Sequence, residues 1–120
     1  MANTKPVIYS DYSDSPQFLK DFLYYMQTIK GLSVRTVEAY YIDLKLFFKY
    51  IIIKRSPDLT FESLNEISIT GLDISFLSNI SQSDILDFLY YTMNDRGNSS
   101  AARARKLSSL RGFFKYMTQK

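Results

Sequence analysis

Residues 99–117 read SSAARARKLSSLRGFFKYM and combine serine, arginine and lysine with no acidic residue. Arginine side chains bind phosphate oxygens and guanine edges through paired hydrogen bonds. Serine hydroxyls and the free N–H groups at the start of a helix also bind phosphate oxygens. This combination of residues indicates a surface that binds a polyanion.

The residue types needed for most catalytic and metal sites are missing. The chain has no Cys and no His, which excludes disulfides, thiolate and imidazole metal ligands, and the usual Ser-His and Cys-His nucleophile pairs. None of the ten Tyr has a visible cluster of neighbours that would activate it as a nucleophile. We therefore expect no catalytic residue, no metal and no cofactor.

Charge is distributed unevenly along the chain, although the net charge is only +3. Residues 99–120 contain six Lys and Arg and no acid, whereas residues 61–98 contain one Arg and six acids. Such clustering is typical of a nucleic-acid-binding face. On charge alone, an ordinary solvated helix surface is an equally valid interpretation.

Caps and helix breakers divide the chain into four predicted helices. These helices cover about residues 16–30, 34–53, 82–95 and 100–120, with N-caps at Ser15, Ser33, Ser81 and either Ser99 or Ser100. Between the second and third helices, short packed turns are expected. The sequence predicts a flexible segment over residues 1–14. Residues 15–120 are predicted to form one all-α domain, a compact bundle of four to five helices arranged as two helical hairpins.

No apolar run approaches the length of about 20 residues that spans a bilayer, and the first residues lack a signal-peptide pattern. We therefore expect a cytoplasmic protein with no membrane partner. No small-molecule substrate is indicated.

Helical periodicity places the candidate polyanion contacts on the outward faces of the second and fourth helices. Arg105 lies at the middle of the predicted outward face of the fourth helix, opposite an apolar stripe that includes Phe113. Asp43, on the flank of the second helix, is predicted to be an ion-pair partner, with Arg111 as the suggested cation. The full set of candidates is Ser33, Arg35, Thr36, Tyr40, Lys45, Ser100, Arg103, Arg105, Lys106, Ser109 and Arg111.

Aromatic residues at helical spacing are more often core than base-stacking groups. Phe47, Phe48, Phe113 and Phe114 are therefore predicted to be core residues. Tyr40 could lie at a core edge with its hydroxyl on a phosphate, or could simply be buried.

Two segments resemble the N-terminal core-binding domain of the tyrosine recombinases, the phage integrase and Xer-type family. LSVRTVEAYYIDLKLFFKYI is similar to the family pattern S-x-x-T-x-x-x-Y-x-x-D-L-x-x-F-x-x-Y, which it matches from Ser33 to Tyr50. RKLSSLRGFFKYM is similar to R-x-L-S-x-L-R-x-F-F-x-Y, which it matches from Arg105 to Tyr116. The resemblance covers about residues 15–120.

The resemblance implies a SAM-like helical domain that forms one jaw of a clamp on duplex DNA, with the second and fourth helices in the major groove of the recombination site. In this family the nucleophilic Tyr and its helpers belong to a separate C-terminal domain, which we expect to be absent here. The chain is thus expected to bind DNA for recombination or integration without being an enzyme itself. The first helix is expected to contact neighbouring protomers. A helical protein–protein interaction module is the alternative.

Overall fold

The computed structural model describes residues 12–119 and is entirely helical, with no strand in that range. Its helices are α1 (Gln17–Thr28), α2 (Val34–Lys54), a 3₁₀-helix (Phe61–Glu66), α3 (Ile74–Leu77), α4 (Gln82–Asn94) and α5 (Ser100–Thr118). The all-α prediction is confirmed. The four predicted helices correspond to α1, α2, α4 and α5, and the two short helices occupy the segment where packed turns were expected.

Three of the four predicted N-caps are confirmed. The Ser33 and Ser99 hydroxyls accept hydrogen bonds from backbone N–H groups at the starts of α2 and α5. Ser81 and Asp84 form a reciprocal capping box at the start of α4. The predicted Ser15 cap is wrong. Helix α1 begins one residue later, after Pro16, and has no side-chain cap.

Residues 12–14 pack against the helices, although the sequence assigned them to a flexible segment. Tyr12 is 1% exposed, and its ring lies 4.9 Å from that of Tyr41. The Tyr41 hydroxyl donates to Asp14 at 2.6 Å, and the Lys45 ammonium forms an ion pair with the same carboxylate. The folded region therefore begins at least three residues earlier than predicted. The remainder of the proposed flexible segment, residues 1–11, lies outside the described residues.

The core is built mainly from aromatic rings. Phe113 of α5 lies at its centre, with its ring 5.4 Å from Phe22 of α1 and 5.5 Å from Phe48 of α2. Phe47, Phe48 and Phe113 are fully buried, and Phe114 is partly buried against them, so these four are core residues as predicted. Edge-to-face ring contacts of this kind each add about 0.5–1.5 kcal/mol beyond the area they bury.

Helix α2 is the central helix, and its contacts fix the directions of α4 and α5. Asp43 of α2 contacts Arg105 of α5, and five residues later Phe48 contacts Phe113. Because the contacts follow the same order along both helices, α2 and α5 run in the same direction. Their N-terminal ends therefore lie at the same end of the pair. Helix α4 runs the opposite way, since Lys54 at the end of α2 bonds Asp84 at the start of α4.

The α2–α4 contact should make stability dependent on acid pH. The Lys54 ammonium, bonded to Asp84 at 2.8 Å, holds the pKa of that carboxyl below its usual 3.8. A carboxyl with a lowered folded-state pKa stabilises the fold above its unfolded pKa and loses that contribution as pH falls. We expect the free energy of unfolding, from urea denaturation, to fall below about pH 4. In Asp84→Ala this acid loss should be smaller.

At neutral pH, Asp84→Ala should cost about 1–2 kcal/mol because the capping box is lost as well. Asp58→Ala, in an exposed turn, is the control and should unfold like the parent. An Asp84→Ala variant with unchanged stability and an unchanged acid transition would contradict this assignment.

Candidate nucleic-acid interface

A buried carboxylate joins the two helices that carry most of the candidate residues. Asp43 on α2 is 1% exposed. It accepts two hydrogen bonds from Arg105 of α5, from Nε at 2.9 Å and from Nη2 at 2.8 Å. The Lys106 ammonium lies 3.4 Å from the same carboxylate. Two cations thus share one acid, and the group retains a net positive charge.

This geometry corrects the predicted partner of Asp43. The sequence suggested Arg111, but the cations present are Arg105 and Lys106. The Asp43 carboxylate raises the pKa of Arg105. Because that acid uses only two of the five N–H donors of the guanidinium, three remain. The Arg105 side chain is 45% exposed, so its outer edge is open to a ligand.

The rotation of α5 about its axis differs from the prediction, because the side that carries Lys106 and Ser109 faces the core. Lys106 is 6% exposed and Ser109 is fully buried, with its hydroxyl donating to the Lys106 carbonyl at 2.7 Å. The prediction that both lie on the surface of α5 available to a polyanion is therefore wrong. A polar residue can occupy a core position when its hydrogen bonds are satisfied. Asp43 provides the counter-charge of the Lys106 ammonium, and the helix backbone accepts the hydrogen bond of the Ser109 hydroxyl.

The outward face of α5 consists of small and cationic side chains. The exposed residues along it are Ala101, Ala104, Arg105, Ser108, Arg111 and Lys115. Arg111 makes no hydrogen bond or ion pair with any residue in the range 12–119. Small side chains allow the helix backbone to approach another surface closely, and the arginines beside them can extend toward it.

The remaining candidates on α2 and α5 are divided between free and engaged side chains. Arg35 and Ser100 are exposed, and the Ser33 hydroxyl donates to Thr36 Oγ1 at 3.0 Å. Arg103 donates to the Asn98 carbonyl at 2.8 Å. Two candidates are half-buried, Tyr40 against the core and Lys45 in its ion pair with Asp14.

Two cations that the sequence did not single out as candidates lie together beside α2. Lys49 and Arg96 line an open cleft of about 270 Å³ that also includes Lys45. Lys49 lies on α2 itself, one helical turn after Lys45, whereas Arg96 is an isolated cation in an acid-rich segment. No sequence signal connected Arg96 with α2, because their proximity depends on the path of the chain after α4.

No helix within residues 12–119 is long and apolar enough to cross a membrane. The same residues contain no group of three or more acidic side chains that could hold a metal ion.

Comparison with known proteins gives a consistent result. The chain is 38% identical over 108 residues to the tyrosine recombinase XerC of Caldanaerobacter subterraneus subsp. tengcongensis, covering 88% of this chain and 30% of that protein. It is 28% identical over 116 residues to XerD of Proteus mirabilis, covering 96% of this chain and 30% of that protein. It is 27% identical over 99 residues to XerD of Listeria monocytogenes, covering 82% of this chain and 27% of that protein. No family model matches, and no solved structure matches.

The chain forms a helical bundle with a cationic face, and these proteins match it along most of its length. It is therefore related to the tyrosine recombinases. Within that class the matched proteins are of the Xer type, which confirms the resemblance found in the sequence. The chain spans less than a third of the length of these relatives. Its similarity is thus to one part of a recombinase.

The Asp43 cluster gives a direct prediction for stability. Asp43→Asn would leave the buried Lys106 without a counter-charge while keeping the side-chain shape. Removing one partner of a buried ion pair typically costs about 3–5 kcal/mol, and we expect a loss of that size in urea denaturation followed by circular dichroism. Asp95→Asn, at the exposed end of α4, is the matched control and should be neutral. Equal stability of the two variants would show that the cluster does not hold α2 and α5 together.

Proposed function

We propose that this domain binds duplex DNA, with α2 and α5 facing the major groove and the flanking phosphates. The observation that supports this most directly is the acid-free outward face of α5, with Arg105 held at its edge by Asp43. The relation to Xer-type tyrosine recombinases makes the DNA of a recombination site the expected ligand. Its role would be in DNA recombination or integration.

The shape of the face suits a duplex. A B-form major groove is about 12 Å wide and admits one α-helix. The exposed Ala101, Ala104 and Ser108 would allow α5 to approach the base edges. Since α2 and α5 run in the same direction, both N-terminal ends would point toward the same stretch of backbone, where their positive dipole ends favour phosphate.

Individual residues would have different roles on such a duplex. Arg105 retains three N–H donors and is held in one orientation, which suits a bidentate contact to a base or phosphate. Arg35 and Arg111 are exposed and unpaired among the described residues, as expected for contacts to phosphates. Ser33, Thr36 and Ser100 at the helix starts would supply short hydroxyl contacts.

We place strand cleavage outside this domain. The chain has no His, and the one described Tyr that lines the cationic cleft, Tyr41, already donates its hydroxyl to Asp14. The two tyrosines with raised pKa that lie nearest the cationic cleft, Tyr12 and Tyr41, owe that shift first to burial, which opposes formation of a phenolate. The domain would bind the site, and another part of the recombinase would cut it.

A contact between protomers is a second proposed property, and it concerns α1. Four of its apolar residues are buried, but Tyr24 is 44% exposed and Ile29 is 70% exposed. These two side chains leave an apolar area at the C-terminal end of α1 on the surface. A neighbouring recombinase protomer on the same DNA would cover it.

Salt-dependent binding tests the DNA proposal. Parent protein should bind a labelled duplex non-specifically with a Kd of order 10⁻⁴–10⁻⁶ M at physiological salt. Arg111→Ala and Arg35→Ala should each weaken binding uniformly across sequences and reduce the slope of log K against log salt by about 0.9, as loss of one phosphate contact does. Fluorescence anisotropy at several salt concentrations measures both quantities.

The matched control is Arg55→Ala, which removes the same charge at the other end of α2, where Arg55 lies beside Phe76. It should bind DNA like the parent. If all three variants lost affinity equally, binding would follow net charge alone, and the assigned face would be wrong.

A further inference from the structure

The cleft beside α2 has the composition of an anion site. It lies between α2, the 3₁₀-helix and the segment after α4, and its volume is about 270 Å³. The lining residues are Tyr41, Ile42, Lys45, Leu46, Lys49, Leu64, Asn65 and Arg96. Three of them are cations and none is an acid.

Three of its polar groups have no partner among residues 12–119. Lys49 and Arg96 form neither a hydrogen bond nor an ion pair there, and the Asn65 amide is also unbonded. Lys49 is half-buried, and its burial together with the charge of Lys45 lowers its pKa. The positive charge of Lys45 disfavours the charged form of Lys49, so an anion in the cleft would relieve this repulsion.

The nearest acid is already engaged. Asp14 acts electrostatically on Lys49, but it is bonded by both the Tyr41 hydroxyl and the Lys45 ammonium. Lys45 therefore contributes charge to the cleft but has little donor capacity to spare. Lys49, Arg96 and Asn65 remain as the groups able to bind a ligand directly.

We propose that this cleft binds a phosphate group, with Lys49 and Arg96 as charged donors and the Asn65 amide as a neutral donor. The apolar walls, Ile42, Leu46 and Leu64, would contact the ester substituents of the phosphate. The chemistry fits either a phosphodiester of a nucleic acid or a free phosphate.

The position of the cleft connects it with the proposed DNA face. Around α2, Lys49 is about 120° from Asp43 but only about 40° from Arg35. A duplex whose backbone reaches Arg35 would therefore pass along the side of α2 that carries the cleft. That the phosphate belongs to a nucleic acid rests on the proposed function. That the cleft binds a phosphate group rests only on its lining residues and is independent of the proposed function.

The experiment monitors the Asn65 side-chain amide by ¹H–¹⁵N NMR during titration with inorganic phosphate and, separately, with a short duplex. Parent protein should show a saturable shift of this resonance. Lys49→Gln and Arg96→Gln should each abolish the shift, and each should reduce the salt slope of duplex binding by about 0.9. Because neither residue has a partner, both variants should melt within a few degrees of the parent.

The control is Lys20→Gln on α1, outside the cleft, which should leave the Asn65 shift intact. A shift with inorganic phosphate alone supports a free-phosphate site, and it would do so even if the chain bound no duplex and the proposed function failed. A shift with duplex alone supports a phosphodiester contact. If the Asn65 resonance moves with neither ligand, or if the shift persists in Lys49→Gln and Arg96→Gln, the cleft proposal is wrong. A duplex affinity that still falls in Arg111→Ala would then show that the proposed DNA face stands without the cleft.

Discussion

The ion pair between Asp43 and its two cations determines how α5 lies on the rest of the domain. A carboxylate that is 1% exposed is strongly disfavoured unless cations and hydrogen bonds compensate it. Arg105 and Lys106 are adjacent in sequence, so satisfying Asp43 with both fixes the rotation of α5 as well as its position along α2. That rotation brings Ser109 and Phe113 inward and leaves Ser108 and Arg111 on the surface.

The aromatic core and the ion pair act on different properties of the fold. Ring contacts of Phe113 with α1 and α2 bury most of the apolar surface of α5 and supply the driving force for packing. Hydrophobic burial is non-directional, however, and several rotations of α5 would bury these rings. We infer that the directional bonds of Asp43 select one of them, as buried polar groups do in some other helical assemblies.

Features that depend on nearby residues could be predicted from the sequence, and those that depend on distant ones could not. The caps at Ser33, Ser81 and Ser99 are bonds within one helical turn, and they mark the starts of α2, α4 and α5. The rotation of α5 was mispredicted because Lys106 and Ser109 are residue types that usually lie on the surface. Only the contact with Asp43, which is distant in sequence, explains why Lys106 is buried. Packing at Tyr12 and Asp14 was missed because their partners, Tyr41 and Lys45, lie about 30 residues further along the chain.

The acid-rich segment that includes α4 affects which cations stay unpaired, although this segment lies away from the outward face of α5. Lys54 bonds both Asp84 and Asp87 of α4, and Arg55 lies 3.9 Å from Asp84. The acids of α4 thus neutralise the C-terminal end of α2, whereas Arg35 near the N-terminal end has no acidic partner among the described residues. Arg35 near the start of α2 and Arg111 on α5 thus stay unpaired among the described residues, in a chain whose net charge is only +3. Under the proposed function, these exposed cations would give DNA a preferred side of the domain to approach.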